Sequence, residues 1–407
     1  MTGDAVGGYG LIVWLIPQRP QTLRKLLVIV VLIPILGGLA WWYFREQALP
    51  NYGPAYREYA YVTNGKSNTV SVIDLRAFRL AGTIRVGSEP TGAAVNHKKN
   101  EIYVVNTGSN NVSVIDAEKN AVVATIGVHG KPYFIDVSAD GKRGYVANSG
   151  SNNVSVIDLE KRILLGSVRV GASPGLARVS PDGATVVVSN RGDNTVSLID
   201  ARQLRVRATL PACQQPEDIA ILEDSGKAFV ACSGSAQVAS IDLKNGRVLA
   251  LLDVGQTPVS LALKPDGGEL MVANFDSNSI SSIETYSNEV GSTSMIGQHP
   301  SRGLVTADNS RLYISNFGSN SVAVYDIDMG RMIATIPVGS HPDAMALTPS
   351  QNYLLVVDTQ SGDVTVIQKR TPNKKFEPGE YALMTLIPVG VQPNAIVVKS
   401  FVVSGMK

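Results

Sequence analysis

The stretch NVSVID stands at Asn111–Asp116 and returns unchanged at Asn153–Asp158. Near copies, TVSVID and TVSLID, begin at Thr69 and Thr195. The residue that closes each copy recurs at a fixed interval of 42 residues, at positions 74, 116, 158, 200, 242, 284, 326 and 368. A constant period of this size is typical of repeat architectures, in which each unit packs on its neighbours.

One period reads as four short antiparallel strands. LARVS (Leu176–Ser180) and TVSLID alternate as strands should, and the run TVVVSN (Thr185–Asn190) is rich in β-branched residues and predicts a buried strand. The more polar LRVRATL (Leu204–Leu210) fits an outer edge. PDG (Pro181–Gly183) has the residue types of a tight turn. Four such strands make one blade of a β-propeller.

The repeat count predicts an all-β, eight-bladed propeller. A proline precedes the first strand of every repeat, at Pro90, Pro132, Pro174, Pro216, Pro258, Pro300, Pro342 and, after the polar insertion KRTPNKKFEPGE, Pro393. The chain therefore enters on the second strand of a blade and ends on a first strand, NAIVVK (Asn394–Lys399). Pairing of these two strands would close the ring and remove its free edge. The alternative is a seven-bladed ring in which the last strand does not pair in this way.

These repeats resemble a known family. YVTN (Tyr61–Asn64), followed by SNTVSVID and VGSEPTGAAV, is similar to the YVTN-type β-propeller repeats of exported bacterial and archaeal proteins, over about residues 57–399. The resemblance implies a propeller but no particular activity, because related propellers include binding proteins, surface-layer proteins, dehydrogenase subunits and lactonases. They also include the haem-binding propeller of dissimilatory nitrite reductase, which an eight-blade count matches better than the seven blades of simpler YVTN propellers.

The N-terminus predicts a membrane anchor. Residues 26–44 (LLVIVVLIPILGGLAWWYF) carry no charge, and a helix of that length nearly spans a hydrocarbon core of ~30 Å. Basic residues precede it, which by the positive-inside tendency keeps the N-terminus in the cytoplasm, and aromatic residues form its interfacial end. We therefore expect a cytoplasmic segment (1–25), a transmembrane anchor (26–44), a linker (45–56), the propeller (57–399) and a tail (400–407). The alternative is a signal peptide cleaved near GLA at 38–40.

This arrangement predicts a single-pass protein of the cytoplasmic (inner) membrane, with the propeller on the periplasmic or extracellular side. The formal net charge of +2 for 407 residues gives no support for a nucleic-acid partner.

Candidate site residues are those that depart from the repeat. The Asp that closes VID, the Asn of YVxN and the SxNN tract are assigned to turns. The departures gather on the face where the loop before the first strand meets the loop after the second strand. They are His129, Tyr133, Arg191, Phe275, His299, Arg302, Phe317 and His341.

Each of these residues can be interpreted as part of a binding site or as an ordinary exposed loop residue. His299 and His341 occupy equivalent places in adjacent blades and are candidate metal or axial haem ligands. Arg302 can bind a carboxylate or phosphate through two hydrogen bonds. Phe275 and Phe317 can form a stacking wall.

Cys213 and Cys232 are the only cysteines, and both replace repeat residues on the same face of one blade. A disulfide fits an oxidising exported compartment. The alternatives are two buried thiols or ligands of a soft metal.

Two functions compete. The first is a membrane-anchored extracytoplasmic binding or scaffold module for a protein partner or small ligand, with no assured cofactor and within a membrane-associated complex. The second is a redox or cofactor-handling protein that binds a tetrapyrrole or metal at the loop face. A weaker third is a lactonase- or lyase-type enzyme in which a histidine and either Glu217 or Asp343 transfer protons. No catalytic motif supports enzyme activity.

Overall fold

The computed structural model describes residues 53–370 and 380–403. Its strands form eight four-stranded antiparallel sheets, so the prediction of an eight-bladed propeller is confirmed and the seven-bladed alternative is wrong. The chain divides into two units at Ala55 and Tyr56, and the propeller is the second.

The blades are numbered along the chain. Blade 1 contains β1 (Tyr56–Asn64), β2 (Thr69–Asp74), β3 (Arg79–Arg85) and the last strand, β32 (Pro393–Val402). Blade 2 contains β4 (Pro90–Val95), β5 (Glu101–Asn106), β6 (Asn111–Asp116) and β7 (Ala121–Gly127). Blade 3 contains β8 (Pro132–Val137), β9 (Arg143–Asn148), β10 (Asn153–Asp158) and β11 (Ile163–Arg169). Blade 4 contains β12 (Pro174–Val179), β13 (Thr185–Asn190), β14 (Thr195–Asp200) and β15 (Arg205–Pro211).

The remaining blades repeat this plan. Blade 5 contains β16 (Pro216–Ile221), β17 (Lys227–Cys232), β18 (Gln237–Asp242) and β19 (Arg247–Asp253). Blade 6 contains β20 (Pro258–Leu263), β21 (Glu269–Asn274), β22 (Ser279–Glu284) and β23 (Glu289–Met295). Blade 7 contains β24 (Pro300–Val305), β25 (Arg311–Asn316), β26 (Ser321–Asp326) and β27 (Arg331–Pro337). Blade 8 contains β28 (Pro342–Leu347), β29 (Tyr353–Asp358), β30 (Asp363–Lys369) and β31 (Tyr381–Pro388).

The ring closes as predicted. Strand order in blade 1 is β3-β2-β1-β32, and the β1–β32 pairing runs from Tyr56↔Val402 to Asn64↔Pro393. The paired strands extend beyond the predicted limits of 57 and 399 at both ends. Closure leaves no blade without its first strand.

The core lies between adjacent blades. Val70 and Val72 of blade 1 pack with Ile102 and Val104 of blade 2, and all four are at most 1% exposed. Second strands are buried on both faces because each lies in the middle of its blade, whereas β3 is exposed at all positions but one. Apolar residues therefore hold the ring together blade to blade.

The turn assignments are confirmed in part. Asp116 Oδ1 accepts the N–H groups of Glu118 and Lys119, as expected for the acid that closes VID. The Asn of YVxN does not form the predicted turn. Asn106 is fully buried, and its Nδ2 donates to Asn111 Oδ1 at 2.7 Å and Ser113 Oγ at 2.9 Å. It thus joins the second strand to the third.

First strands carry β-bulges beside the channel. In blade 5, Pro216 pairs with Cys232 and Ile219 with Val230, so two residues of β16 oppose one of β17. A bulge leaves the extra residue unpaired and re-aims side chains. Glu217 therefore does not face Cys232, as a regular hairpin would require, but lines the channel.

The predicted cytoplasmic segment and anchor lie outside the described residues. Within the ranges that the structure covers, no helix is long and apolar enough to cross a bilayer.

Candidate functional site

The centre of the ring holds a cavity of about 620 Å³. All eight first strands contribute to its wall, from Thr91 in β4 to Val397 in β32. Its volume lies within the ~300–1,000 Å³ that is usual for sites of small molecules and cofactors. This channel is the candidate ligand site.

Arg191 and Glu217 form an ion pair at the channel wall. Arg191 follows the second strand of blade 4 and Glu217 lies in the bulge of blade 5, so the pair bridges two blades. The guanidinium also lies over Tyr133, 5.5 Å from the ring centroid. Burial raises the pKa of Glu217 above its ordinary value, although the charge of Arg191 opposes the shift.

Arg178 places a second positive charge at the channel wall. Its Nη1 lies 3.7 Å from Asp136 Oδ1, and its Nη2 lies 4.0 Å from Asp218 Oδ1. Its Cζ lies 4.6 Å from the centroid of the Phe134 ring. Each carboxylate also accepts a backbone N–H from the first strand of the next blade. Arg178 is therefore held by carboxylates that are themselves fixed.

Arg302 enters the channel from blade 7. Its Nε lies 3.6 Å from Asp343 Oδ1, and its side chain is 44% exposed. Desolvation lowers the pKa of Arg302, but the nearby carboxylates of Asp343 and Asp218 outweigh it and leave that pKa above its ordinary value. Arg302 is thus a permanent cation in the channel.

Two buried donors in the channel have no partner. Arg178 Nε and Arg191 Nε make no hydrogen bond with any described residue. Gly175 makes room for Arg191 Nε, because a Cβ at position 175 would lie 2.7 Å from that atom. An unpaired buried donor costs ~1–3 kcal/mol. A ligand oxygen at these atoms would recover that free energy.

Two stacked pairs of rings touch each other at the channel rim and form a row that we call the aromatic ladder (Phe275, His299, Phe317 and His341). His299 stacks on Phe275 with ring centroids 4.5 Å apart and planes at 8°. His341 stacks on Phe317 at 4.4 Å and 20°. The two Phe rings are 6.2 Å apart and tilted by 48°. The ladder thus joins blades 6, 7 and 8.

The backbone at both ladder histidines belongs to the repeat. His299 and His341 have φ of 49° and 54°, and the residue before the repeat proline has a positive φ in every blade. Their N–H groups donate to the Oδ1 atoms of Asn278 and Asn320, each in the preceding blade. At the position before the proline, these two loops have an imidazole ring and the other six do not.

The predicted site residues fall into two groups. Five line the channel, namely Tyr133, Arg191, Phe275, Arg302 and Phe317. His299 and His341 contact the two Phe rings but are not part of the channel wall, and His129 is half-buried in the loop before blade 3.

Sequence reasoning missed Arg178 and its partner Asp136. Both stand four residues after the repeat proline, where the other blades have Ala, Leu or Val. They are the only charged residues at this position, so the same comparison of repeats extended into the first strand would have found them.

Cys213 and Cys232 form the predicted disulfide, with their Cα atoms 5.7 Å apart. Because both sulfurs are bonded to each other, neither is a thiolate that could ligate a metal. Over residues 53–370 and 380–403, no three His, Cys, Asp or Glu side chains come together as a metal site.

Solved structures similar to this chain share its fold. Dihydro-heme d1 dehydrogenase NirN in complex with DHE superposes with a TM-score of 0.68 at 14% identity, over 83% of this chain and 74% of that one. Hydrazine synthase of Kuenenia stuttgartiensis gives 0.55 at 23% identity, over 65% of this chain and 91% of that one. A protein of unknown function from Desulfotomaculum acetoxidans gives 0.56 at 14% identity, over 70% and 99%.

No curated protein matches the sequence. The family model of the Cytochrome D1 heme domain matches residues 97–378. That range is more than half of the 407 residues, and it covers most of the propeller. The chain therefore belongs to the Cytochrome D1 heme domain family of β-propellers.

Proposed function

We propose that the channel binds a tetrapyrrole that carries carboxylate groups, of the haem d1 class. The observation that carries the proposal is the pair of buried, unpartnered donors, Arg178 Nε and Arg191 Nε, in the channel of a protein of this family. Such donors suit the carboxylate oxygens at the edge of a macrocycle. The proposal corresponds to the cofactor-handling alternative of the sequence analysis.

The other channel residues fit the same ligand. Arg302 offers a third guanidinium, and Phe275, Phe317 and Tyr133 offer faces on which a flat ring can stack. Bound iron would supply the redox chemistry, while these residues bind and orient the macrocycle. Tyr133 is of a type that ligates haem iron, and so are His299 and His341 at the rim.

The neighbours support the proposal by analogy only. One is a dihydro-haem d1 dehydrogenase in complex with DHE, and another is hydrazine synthase. At 14% and 23% identity their chemistry does not transfer residue by residue. The likeness of the repeats to YVTN-type propellers is compatible with this reading.

Haemin, an iron porphyrin with two carboxylates, is the probe. The full-length protein is titrated with haemin, and the Soret band gives the dissociation constant. We expect saturable binding with one haemin per chain, and at least tenfold weaker binding for Arg178→Leu/Arg191→Leu. Arg205→Leu is the control, because Arg205 lies on the outer strand β15. Absence of saturable binding, or equal affinity of the double variant, would reject the proposal.

A second candidate is the scaffold function. The observation in its favour is the aromatic ladder, whose His299 is solvent-exposed and offers ring surface to a protein partner. Co-purification of a stable partner that Phe317→Ala releases, from a protein that does not bind haemin, would favour this candidate.

We also propose that residues 26–44 anchor the propeller to the cytoplasmic membrane with the ring outside the cytoplasm. The disulfide supports this location, because such bonds persist in oxidising compartments. Protease added to spheroplasts should remove the propeller. Protection of the propeller in intact spheroplasts would contradict the proposal.

A further inference from the structure

The disulfide replaces a contact that other blades make without a covalent bond. In six blades a glycine three residues before the repeat proline packs against the side chain that ends the second strand. A Cβ on Gly171 would lie 2.7 Å from Asn190 atoms, and one on Gly297 would lie 2.3 Å from Asn316 atoms. Blade 5 has Cys213 and Cys232 at these two positions. Since six blades fold with a Gly–Asn or Gly–Asp pair, the fold itself does not require the bond here.

The disulfide lies directly beside the loop that leads to the channel. Cys232 pairs with Pro216, and the next residue, Ser233, donates its N–H to Gln215 O at 3.1 Å. Ser233 Oγ lies 3.1 Å from Gln215 O and 3.4 Å from Glu217 Oε1. The bond therefore fastens both sides of the loop immediately before Glu217.

Glu217 lies in the bulge of blade 5. No β17 residue pairs with it, since the register passes from Pro216↔Cys232 to Ile219↔Val230. Its carboxylate nevertheless bridges to Arg191 of the preceding blade. A shift of the loop would move the carboxylate and turn Arg191, whose Nε is otherwise unpartnered in the channel.

We infer that the Cys213–Cys232 disulfide is a positioning element of the channel site, which holds Glu217 against Arg191 and thereby fixes the Arg191 guanidinium at the channel wall. This inference rests on the proposed function for its ligand, a carboxylate-bearing tetrapyrrole. It assigns the cysteines a task in the site in addition to their contribution to stability.

The test uses the full-length protein and the variant Cys213→Gly/Cys232→Asn, which installs the pair found in blade 4. Arg191→Ala is made in both backgrounds, and haemin affinity is measured by Soret titration. We expect Arg191→Ala to weaken binding at least tenfold when the disulfide is present and less than threefold when it is absent. Equal losses in the two backgrounds would overturn the inference.

A ligand-free measurement separates this inference from the proposed function. The coupling between Arg191 and Glu217 is obtained from urea unfolding of Arg191→Ala, Glu217→Ala and the double variant, in both backgrounds. We expect the coupling to fall by at least half without the disulfide. If wild type does not bind haemin, the proposed function fails and this coupling alone decides. Unchanged coupling would overturn the positioning role.

Discussion

At the scale of single residues, Asp358 departs from the repeat at a buried position. It is fully buried where six blades have Asn, and its Oδ2 accepts the Thr365 hydroxyl at 2.6 Å. Its Oδ1 has no partner among the described residues, which is also true of the Asn Oδ1 atoms in five blades. The site is thus built for a neutral side chain. Desolvation, followed by neighbouring Asp363, raises the pKa of Asp358 to about 7.

We expect Asp358 to make stability depend on pH. Its folded-state pKa of about 7 exceeds the ordinary 3.8, so the native state holds an extra proton between these values. The free energy of unfolding should therefore fall as pH rises from about 4 to 7, by at most about 4 kcal/mol at 1.36 kcal/mol per pKa unit. Asp358→Asn should reduce this slope and be more stable at pH 8, while Glu217, whose pKa is also raised, keeps its own part of the slope. Urea unfolding at several pH values measures the slope in both proteins, and equal slopes in wild type and variant would contradict the role of Asp358.

The addition of a single methyl group at Gly175 should disturb the channel site. A Cβ there would lie 2.7 Å from Arg191 Nε, so Gly175→Ala should displace the guanidinium and weaken haemin binding about tenfold. The thermal midpoint should change by only a few degrees, because an Arg side chain can move. Gly166→Ala is the matched control, since a Cβ there meets nothing within 4 Å. Equal haemin affinities for the two variants would contradict this account.

At the scale of strands and loops, the sequence predicted regular features better than irregular ones. The 42-residue period and the alternation of TVSVID placed every strand type correctly, because burial on one or both faces dictates those residues. Bulges have no such pattern, since they depend on how a first strand meets its neighbour in space. Only the structure could therefore show that Glu217 lines the channel and that Arg178 contacts Asp136.

The aromatic ladder illustrates the same limit within loops. Equivalent positions in adjacent blades predicted that Phe275 and Phe317 lie together, and they do. The stacking of each histidine on a Phe of the preceding blade follows from the shared left-handed backbone before the proline, which sequence alone did not reveal.

We expect the ladder to contribute to stability as a unit. Phe317 contacts both Phe275 and His341, and aromatic pairs are worth ~0.5–1.5 kcal/mol each. Phe317→Ala should therefore lower the free energy of unfolding by about 1–3 kcal/mol. Ser149→Ala, at the equivalent position of blade 3, is the control. In a cycle with His341→Ala, strictly additive losses would mean that the stacked rings do not interact.

At the scale of the whole molecule, a disulfide bond and a strand pairing each connect two separate parts of the chain. The disulfide joins residues 19 apart within blade 5, whereas the β1–β32 pairing joins the two ends of the described chain. The first constrains one loop and the second completes the ring. The channel, to which all eight first strands contribute, exists only when the ring is complete.

Removal of β32 should therefore destroy the fold and the site together. Deletion of residues 393–407 exposes the edge of β1 and removes the buried Ile396 and Phe401, which together contribute on the order of 3–6 kcal/mol. That loss is comparable with the whole stability of a typical domain, about 5–15 kcal/mol. We expect loss of a cooperative thermal transition, aggregation in size-exclusion chromatography and no haemin binding. Deletion of residues 404–407 alone leaves β32 intact, so that variant should keep the cooperative thermal transition, remain soluble and bind haemin. A soluble, cooperatively unfolding protein without β32 would mean that the other seven blades are sufficient, and that the pairing of the chain ends is not what holds the ring.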